Sequence, residues 1–446
     1  MEQNPMTVVT EVRPDCLEKL KTYLKPIGDN IKKNNVIQFS AFQNLHYCCF
    51  ILIEDENPPT GCALANPILV FEANIDGSVP AFLDDICTQK PDFMREVYGC
   101  CAGCPPDNQG LAAFLLKNDR GANGFYIAHP GQTRQAIEYQ RNLRQTIEDY
   151  IDANRPELVT LPPEQIKKKI IENLTALDPE FPNKKPLSPS FFVKNGDALF
   201  KGILFIAVVA LIAIVLAAFG VMVGKIMQLL ACGIVGLIIL YAIWLRWREK
   251  TDIQDERMHW ESDYIKDLQD IEDRQPQNHL SSIIYVKAGK LRLFTLSLVL
   301  FLINIVAKVV ATQGNLSGIV TIHFARWIIL PGKAKERTRL LFFSNYDGSW
   351  ENYLGEFIDH ASIGLTAVWT NTESGTNRGF PDTEWLVNKG ATDEQRFKAF
   401  ARNSQRRELI WYSAYPDLSV KNIGNNQKIH DGLFSDQELT AWLKRL

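Results

Sequence analysis

His46 and His323 occupy the same place in two look-alike segments, LHYCCFILI (45–53) and IHFARWIIL (322–330). An imidazole there suits three tasks: ligating haem iron, shuttling a proton, or filling a satisfied position in a sheet. Arg326 stands where the first segment has Cys49. A guanidinium in that position either binds carboxylates or propionates as a fork or makes a surface ion pair. A second pair of segments, LVFEANIDGSVPAFLDDI (69–86) and LLFFSNYDGSWENYLGEF (340–357), shares the string N-x-D-G-S, with Asp76 and Asp347 at its centre. Gly permits a turn there, and Ser or Asp caps the helix that follows. CCAGC (100–104) supplies a single C-x-x-C through Cys101 and Cys104. A structural zinc site normally takes four ligands, so these two thiols are weak metal candidates, with redox or inert roles as alternatives. WYSAYPDLSVKNIGNNQKIHDGL (411–433) gathers Tyr412, Tyr415, Asn422, Asn425 and Asn426. Asparagines of this kind serve turns. Beside an apolar strand they also suit a polar pocket, and Asn345, Tyr412, Tyr415, Asn422 and Asn426 are the candidate ligand-binding set.

The elements that position these residues come in two copies. FYIAHP (125–130) matches WYSAYP (411–416), and VTEVRPDCLEKLKTYL (9–24) matches IIYVKAGKLRLFTLSL (283–298). Four matched blocks in one order mark an internal duplication. Each copy reads strand (8–13; 282–287), helix, strand (45–53; 320–330), strand (68–74; 339–345), helix (78–87; 349–359), strand (95–100; 365–370). That is β-α-β-β-α-β, the ferredoxin-like order. A further strand is expected at 124–129 and at 409–415. The fold class expected is α+β, with two tandem ferredoxin-like lobes closing into a pseudo-symmetric α/β barrel.

Between the copies lies a membrane hairpin. Residues 201–223 carry no charge after Lys201, and residues 226–245 form a second apolar run, with only Gly224 and Lys225 between them. Each is about the ~20 residues a bilayer crossing needs. Lys184, Lys185, Lys194 and Lys201 precede the pair, and Arg246, Arg248 and Lys250 follow it. The positive-inside bias puts both flanks, and so both lobes, in the cytoplasm at the cell's inner membrane. The domain boundaries expected are lobe 1 at 1–150, a proline-rich linker at 151–198, the hairpin at 199–247, a charged helical stalk at 248–278 and lobe 2 at 279–446. KLRLFTLSLVLFLINIVAK (290–308) also looks like a span, but its uncharged run is too short for a bilayer core and aligns with a soluble helix of the first copy. It is expected to be an ordinary domain helix, 290–311, with an extra apolar face docked on the hairpin or in the lipid interface.

The chain has 446 residues, 46% hydrophobic and 22% charged, with a net charge of −3, which gives no electrostatic case for nucleic acid. The N-terminus lacks the basic and apolar regions of a cleaved secretory signal. Eight of the nine cysteines precede residue 105, several adjacent, which reads as a reduced cytosolic lobe.

HFARWIIL, LLFFSNYDGSWENYL and WYSAYPDLSVKNIGNN resemble a group of uncharacterised bacterial proteins of the dimeric α/β-barrel superfamily, often encoded near catalases or dye-decolorizing peroxidases. The resemblance covers 316–432 well and 8–145 more weakly. The superfamily includes haem enzymes as well as haem-free members, so it makes haem a possible cofactor. The dye-decolorizing peroxidases carry a G-x-x-D-G motif whose Asp helps break peroxide. Ala73 and Ser344 stand here in place of its first glycine. Two functions are therefore expected in parallel. One is a membrane-anchored protein handling a lipid-derived or other apolar small molecule in oxidative-stress metabolism, with membrane lipid as a partner and a homo-oligomer open. The other is a haem peroxidase-like enzyme using His323, Arg326 and Asp347.

Overall fold

The structure, a computed structural model, describes residues 2–54, 58–186, 191–218, 225–254, 266, 269, 272, 275–309, 314–316, 318–333, 335–374, 378–435 and 439–446. It is a mixed α+β protein. The first half runs β1 (Gln3–Glu11), α1 (Leu17–Asp29), β2 (Leu45–Ile53), β3 (Ile68–Asp76), α2 (Val79–Gln89), α3 (Pro91–Tyr98), α4 (Leu111–Lys117), β4 (Gly124–Ile127) and α5 (Arg134–Ala153). Then come α6 (Arg155–Leu158), α7 (Pro163–Leu177) and two long apolar helices, α8 (Phe191–Ala218) and α9 (Lys225–Thr251). The second half opens with β5 (Gln277–Val286), α10 (Lys290–Val309), β6 (Ile322–Leu330), β7 (Arg339–Asp347) and α11 (Trp350–Trp369). It continues through β8 (Thr372–Ser374), β9 (Arg378–Gly379), β10 (Thr383–Glu384), β11 (Asn388–Lys389), α12 (Glu394–Ser404) and β12 (Gln405–Arg406). It closes with β13 (Ile410–Ser413), α13 (Val420–Leu433) and α14 (Leu439–Leu443).

Two large antiparallel sheets form among the described residues, in the orders β1-β3-β2-β13 and β4-β6-β7-β5-β8-β9, with β12 also on β5; β10 and β11 pair separately. The short late strand of each half leaves its own sheet. β4 pairs with β6 of the second half (Phe125 opposite Arg326), and β13 pairs with β2 of the first (Trp411 opposite Cys49). The halves are thus interlocked by reciprocal strand exchange. The further strands expected at 124–129 and 409–415 form, each on the sheet of the other half.

The expected fourth strands are not formed. Residues 95–98 belong to α3, which starts on Pro91 and buries Phe93, Met94, Val97 and Tyr98, a helical spacing. Residues 365–369 are the last turns of α11, which kinks at Ala361 and buries Leu365 through Trp369 without a break. A continuously buried run of that length does not distinguish helix from strand by periodicity.

β3 shows why the strands are nearly all apolar. Leu69, Phe71, Ala73 and Ile75 face the helices of their own half, while Ile68 and Val70 meet Ile283, Ile328 and Leu341 of the other sheet. Both faces are covered, and alternation disappears. The polar exceptions on that inner face, Glu72, Asn74 and Asp76, are all buried.

Residues expected to be a linker are packed. Ile170 and Leu174 of α7 join Leu143 and Ile147 of α5 and Ile429 and Leu433 of α13 in one apolar cluster. The expected stalk falls largely on residues outside those described. Two described helices are long and apolar enough to cross a membrane, Gln228–Thr251 and Lys290–Ala307; Gly202–Leu216 is a shorter apolar helix. α10 packs on α8, and Thr295 Oγ1 lies 2.5 Å from Tyr241 Oη of α9. Its Leu296 and Leu300 are fully buried on the second sheet, whereas Phe294, Leu298, Phe301 and Leu302 are exposed.

Candidate functional site

The duplication builds two matching clasps at the ends of the sheets. His46 Nε2 lies 3.0 Å from Asp76 Oδ1, and His323 Nε2 lies 2.8 Å from Asp347 Oδ1. The other oxygen of each aspartate accepts a helix-first-turn amide: Arg134 N to Asp76 Oδ2 at 2.8 Å, and Val420 N to Asp347 Oδ2 at 2.7 Å. A carboxylate at a helix N-terminus meets both unpaired N–H groups and the positive end of the dipole. Thr133 and Ser419 cap the same two helices, and Ser78 and Ser349 cap the helices after the D-G turns. The aspartates are therefore not the helix caps expected from the sequence. They tie a strand-2 histidine to a helix that arrives much later in the chain.

These clasps are buried. His46 Nδ1 is 2.8 Å from the Tyr415 hydroxyl, while its Nε2 sits at ion-pair distance from Asp76. The His323 ring forms a three-ring cluster with Tyr47 and Tyr415, with centroids 5.4 and 6.3 Å away. His129 takes the Tyr415 place in the other clasp. Its Nε2 donates to Val420 O at 2.9 Å, and burial pushes its pKa down to about 4. His323 is buried and its Nε2 is committed to Asp347 at 2.8 Å, so that nitrogen is not free to ligate haem iron in this arrangement.

Arg326 does not join His323 and Asp347. It is buried between the sheets, 2.8 Å from Glu72, and donates to Met6 O at 2.6 Å, Ala73 O at 2.9 Å and the Asn74 side chain. The expected trio is thus split into a histidine–aspartate clasp and a separate inter-sheet ion pair. Removing one member of such a pair costs about 3–5 kcal/mol, because the other stays buried and uncompensated.

Around Glu72 lies a cluster that the sequence reading missed. Cys49 and Glu72 are register partners on β2 and β3, and His279 reaches them from β5 of the facing sheet. Their ligand atoms lie within 4.8 Å of one another, all buried. His279 Nδ1 is 2.7 Å from Glu408 Oε1, which also accepts from Ser281 Oγ at 2.6 Å. Burial, with Glu72 and Glu408 nearby, pushes the Cys49 thiol well above its ordinary pKa. A lone glutamate inside ILVFEANID was the available signal.

His279 and Glu408 also line a cleft of about 710 Å³ at the seam of the two halves, with Ile31, Leu409, Trp411 and Tyr412 among its apolar walls. Trp411 Nε1 donates to Asn345 Oδ1 at 3.0 Å. Of the candidate ligand-binding set, Tyr412 lines this cleft and Asn345 supports it. Tyr415 is buried in the His46 clasp. Asn422 and Asn426 lie on α13, where the first is exposed and the second is 3.4 Å from Arg144 of α5. Cys101 accepts from Thr10 Oγ1 at 3.2 Å, and burial raises its pKa to about 12. Among the described residues no further His, Cys or carboxylate joins Cys101 and Cys104 closely enough to hold an ion.

Compared with protein-family models, with curated proteins and with solved structures, the chain matches none.

Proposed function

We propose that the protein is a membrane-anchored binding protein for a small amphipathic molecule, held in the cleft between its two halves. The fold behind this reading is a duplicated ferredoxin-like chain closed into a pseudo-symmetric barrel. The three-strand orders β1-β3-β2 and β5-β7-β6 match between halves and support it. The observation that carries the function is the cleft itself. It is roomy, and its lining combines aromatic and aliphatic side chains with Gln277, His279, Arg407 and Glu408. An apolar body against Trp411 and Tyr412 with a polar head toward His279 suits that lining.

Anchoring is supported by α8 and α9, whose side chains are apolar and exposed over most of their described length (Phe205 70%, Leu237 68%). Strand exchange supports both halves lying on one side. β4–β6 and β13–β2 pairing requires whatever enters the bilayer between them to come back out. α10 connects β5 to β6, both of which pair with β7, so a crossing by α10 would separate strands of one sheet. The basic flanks of the hairpin favour the cytoplasmic side. The exposed apolar face of α10 then rests in the lipid interface beside the hairpin.

The test is binding of a dansyl-labelled fatty acid to the full chain in nanodiscs. Saturable binding that weakens at least tenfold in Trp411→Ala is expected. Absence of saturable binding to the wild-type protein would remove the reading.

A further inference from the structure

The buried Cys49–Glu72–His279 cluster has three donors of three chemical types and no assigned partner. Glu72 Oε1 is fully engaged, by Arg326 at 2.8 Å and by Asn74 Nδ2 at 3.0 Å. Its Oε2 is buried with no hydrogen-bond partner among the described residues, and so is His279 Nε2. The two face each other across 3.9 Å. That gap is too long for a hydrogen bond. It is near the separation of about 3.3 Å that two such ligands have across a tetrahedral zinc ion, with bonds of about 2.0 Å each. Burying two unpaired polar atoms has a cost of about 1–3 kcal/mol each, which a cation held between them removes.

We propose that Cys49 Sγ, Glu72 Oε2 and His279 Nε2 bind a divalent first-row transition-metal ion, zinc by preference. The donor set is thiolate, carboxylate and imidazole, all ordinary zinc ligands, and three protein donors leave a fourth position for water. Glu408 supplies the outer support such a histidine has elsewhere. By accepting from Nδ1–H it fixes the tautomer that leaves Nε2 unprotonated and aimed at Glu72. Binding breaks the Cys49 S–H bond and forms a sulfur–metal bond, with the proton released to solvent. The local charges then cancel: the metal and Arg326 are positive, and Cys49, Glu72 and Glu408 are negative. Strand register fixes two ligands and sheet packing the third, so no loop has to close around the ion.

The site is asymmetric, which separates it from the duplicated clasps. The counterparts of Cys49, Glu72 and His279 in the other copy are Arg326, Phe343 and Pro5. The first copy supplies Cys49 and Glu72, and the second supplies His279 together with the arginine that balances the charge.

The test uses the full chain in detergent without a polyhistidine tag, stripped with chelator, reloaded with Zn²⁺ or Co²⁺ and gel-filtered. One equivalent of metal per chain is expected, and the cobalt form should show a thiolate-to-cobalt charge-transfer band. Cys49→Ser and His279→Gln should each lower affinity at least a hundredfold. Glu408→Gln should lower it about 10–100-fold. The Cys101→Ser/Cys104→Ser double variant should bind as wild type. Less than a tenth of an equivalent in the reloaded wild-type protein would overturn the proposal, as would a cobalt spectrum without the thiolate band. Both overturning results are read on the wild-type protein, and neither depends on the fatty-acid result.

Discussion

His129 and Tyr415 occupy equivalent positions yet do different work. Tyr415 caps the His46 ring, whereas His129 is itself the buried imidazole, held neutral with a pKa near 4. An unfolded chain binds that proton near pH 6.5, so between those values the unfolded state holds more protons than the folded one. Stability contributed by this group is therefore fully present above pH 6.5 and is lost as pH falls toward 4. One proton corresponds to about 1.4 kcal/mol per pH unit. Lowering the pH from 7 to 5 is expected to destabilise the wild-type protein by about 2 kcal/mol more than His129→Gln, read from denaturation midpoints at both pH values. Parallel pH dependence in the two proteins would contradict this account. The clasps themselves were half legible in the sequence. The matching histidines and the N-x-D-G-S string are plain in the repeat, but the partner of each aspartate is an amide about 58–73 residues away in the chain. The Cys49–Glu72–His279 cluster was less legible still, because two of its residues have apolar counterparts and no repeat calls attention to them.

At the scale of elements, strand bounds were readable where a short apolar run stood between turn residues. β2 and β6 fall within two residues of the expected bounds, and β3 and β7 each extend two residues further, to Asp76 and Asp347. What failed were the two fourth strands: residues 95–98 end α3, and 365–369 end α11, where continuous burial leaves helix and strand ambiguous; the destination of β4 and β13 was not legible. Pairing partners depend on what the rest of the chain leaves open, and edge strands β2 and β6 each leave an edge for the other half's late strand. One glycine records how closely the exchanged strand is held. A Cβ on Gly28 of α1 would stand 1.9 Å from Leu409 O, just before β13, and backbone on both sides leaves nothing to yield. Gly355 of α11 has open space around its Cβ position. Gly28→Ala is therefore expected to cost about 1–3 kcal/mol by overpacking. Gly355→Ala should add up to about 1 kcal/mol through helix propensity. Thermal midpoints of the two variants in the same detergent check the pair. Equal shifts would mean that β13 does not dock against α1 as described.

At the scale of the molecule, the second long helix of the hairpin is continuous with the folded body rather than tethered to it. Glu249, near the end of α9, accepts from the amides of Trp385 and Leu386 at 2.9 and 2.6 Å. Asp252, one residue beyond that helix, is 2.7 Å from Lys287 Nζ and 2.5 Å from Arg292 of α10. Lys287 is buried there, and burial pulls its pKa down to about 8 despite that carboxylate. In the proposed membrane-anchored arrangement, a hairpin fixed this way would set the height of the body above the bilayer and bring the exposed apolar face of α10 to the lipid surface. The interlocked sheets would then allow only one arrangement of the chain across the membrane. Sites for a specific protease placed at residue 2 and after residue 446 should both be cut from the same face of sealed vesicles. A site between α8 and α9 should be cut only from the opposite face. In inside-out vesicles the two termini should be the accessible pair. Cleavage of the two termini from opposite faces would break β4–β6 and β13–β2 pairing in the membrane-embedded protein and turn α10 into a span.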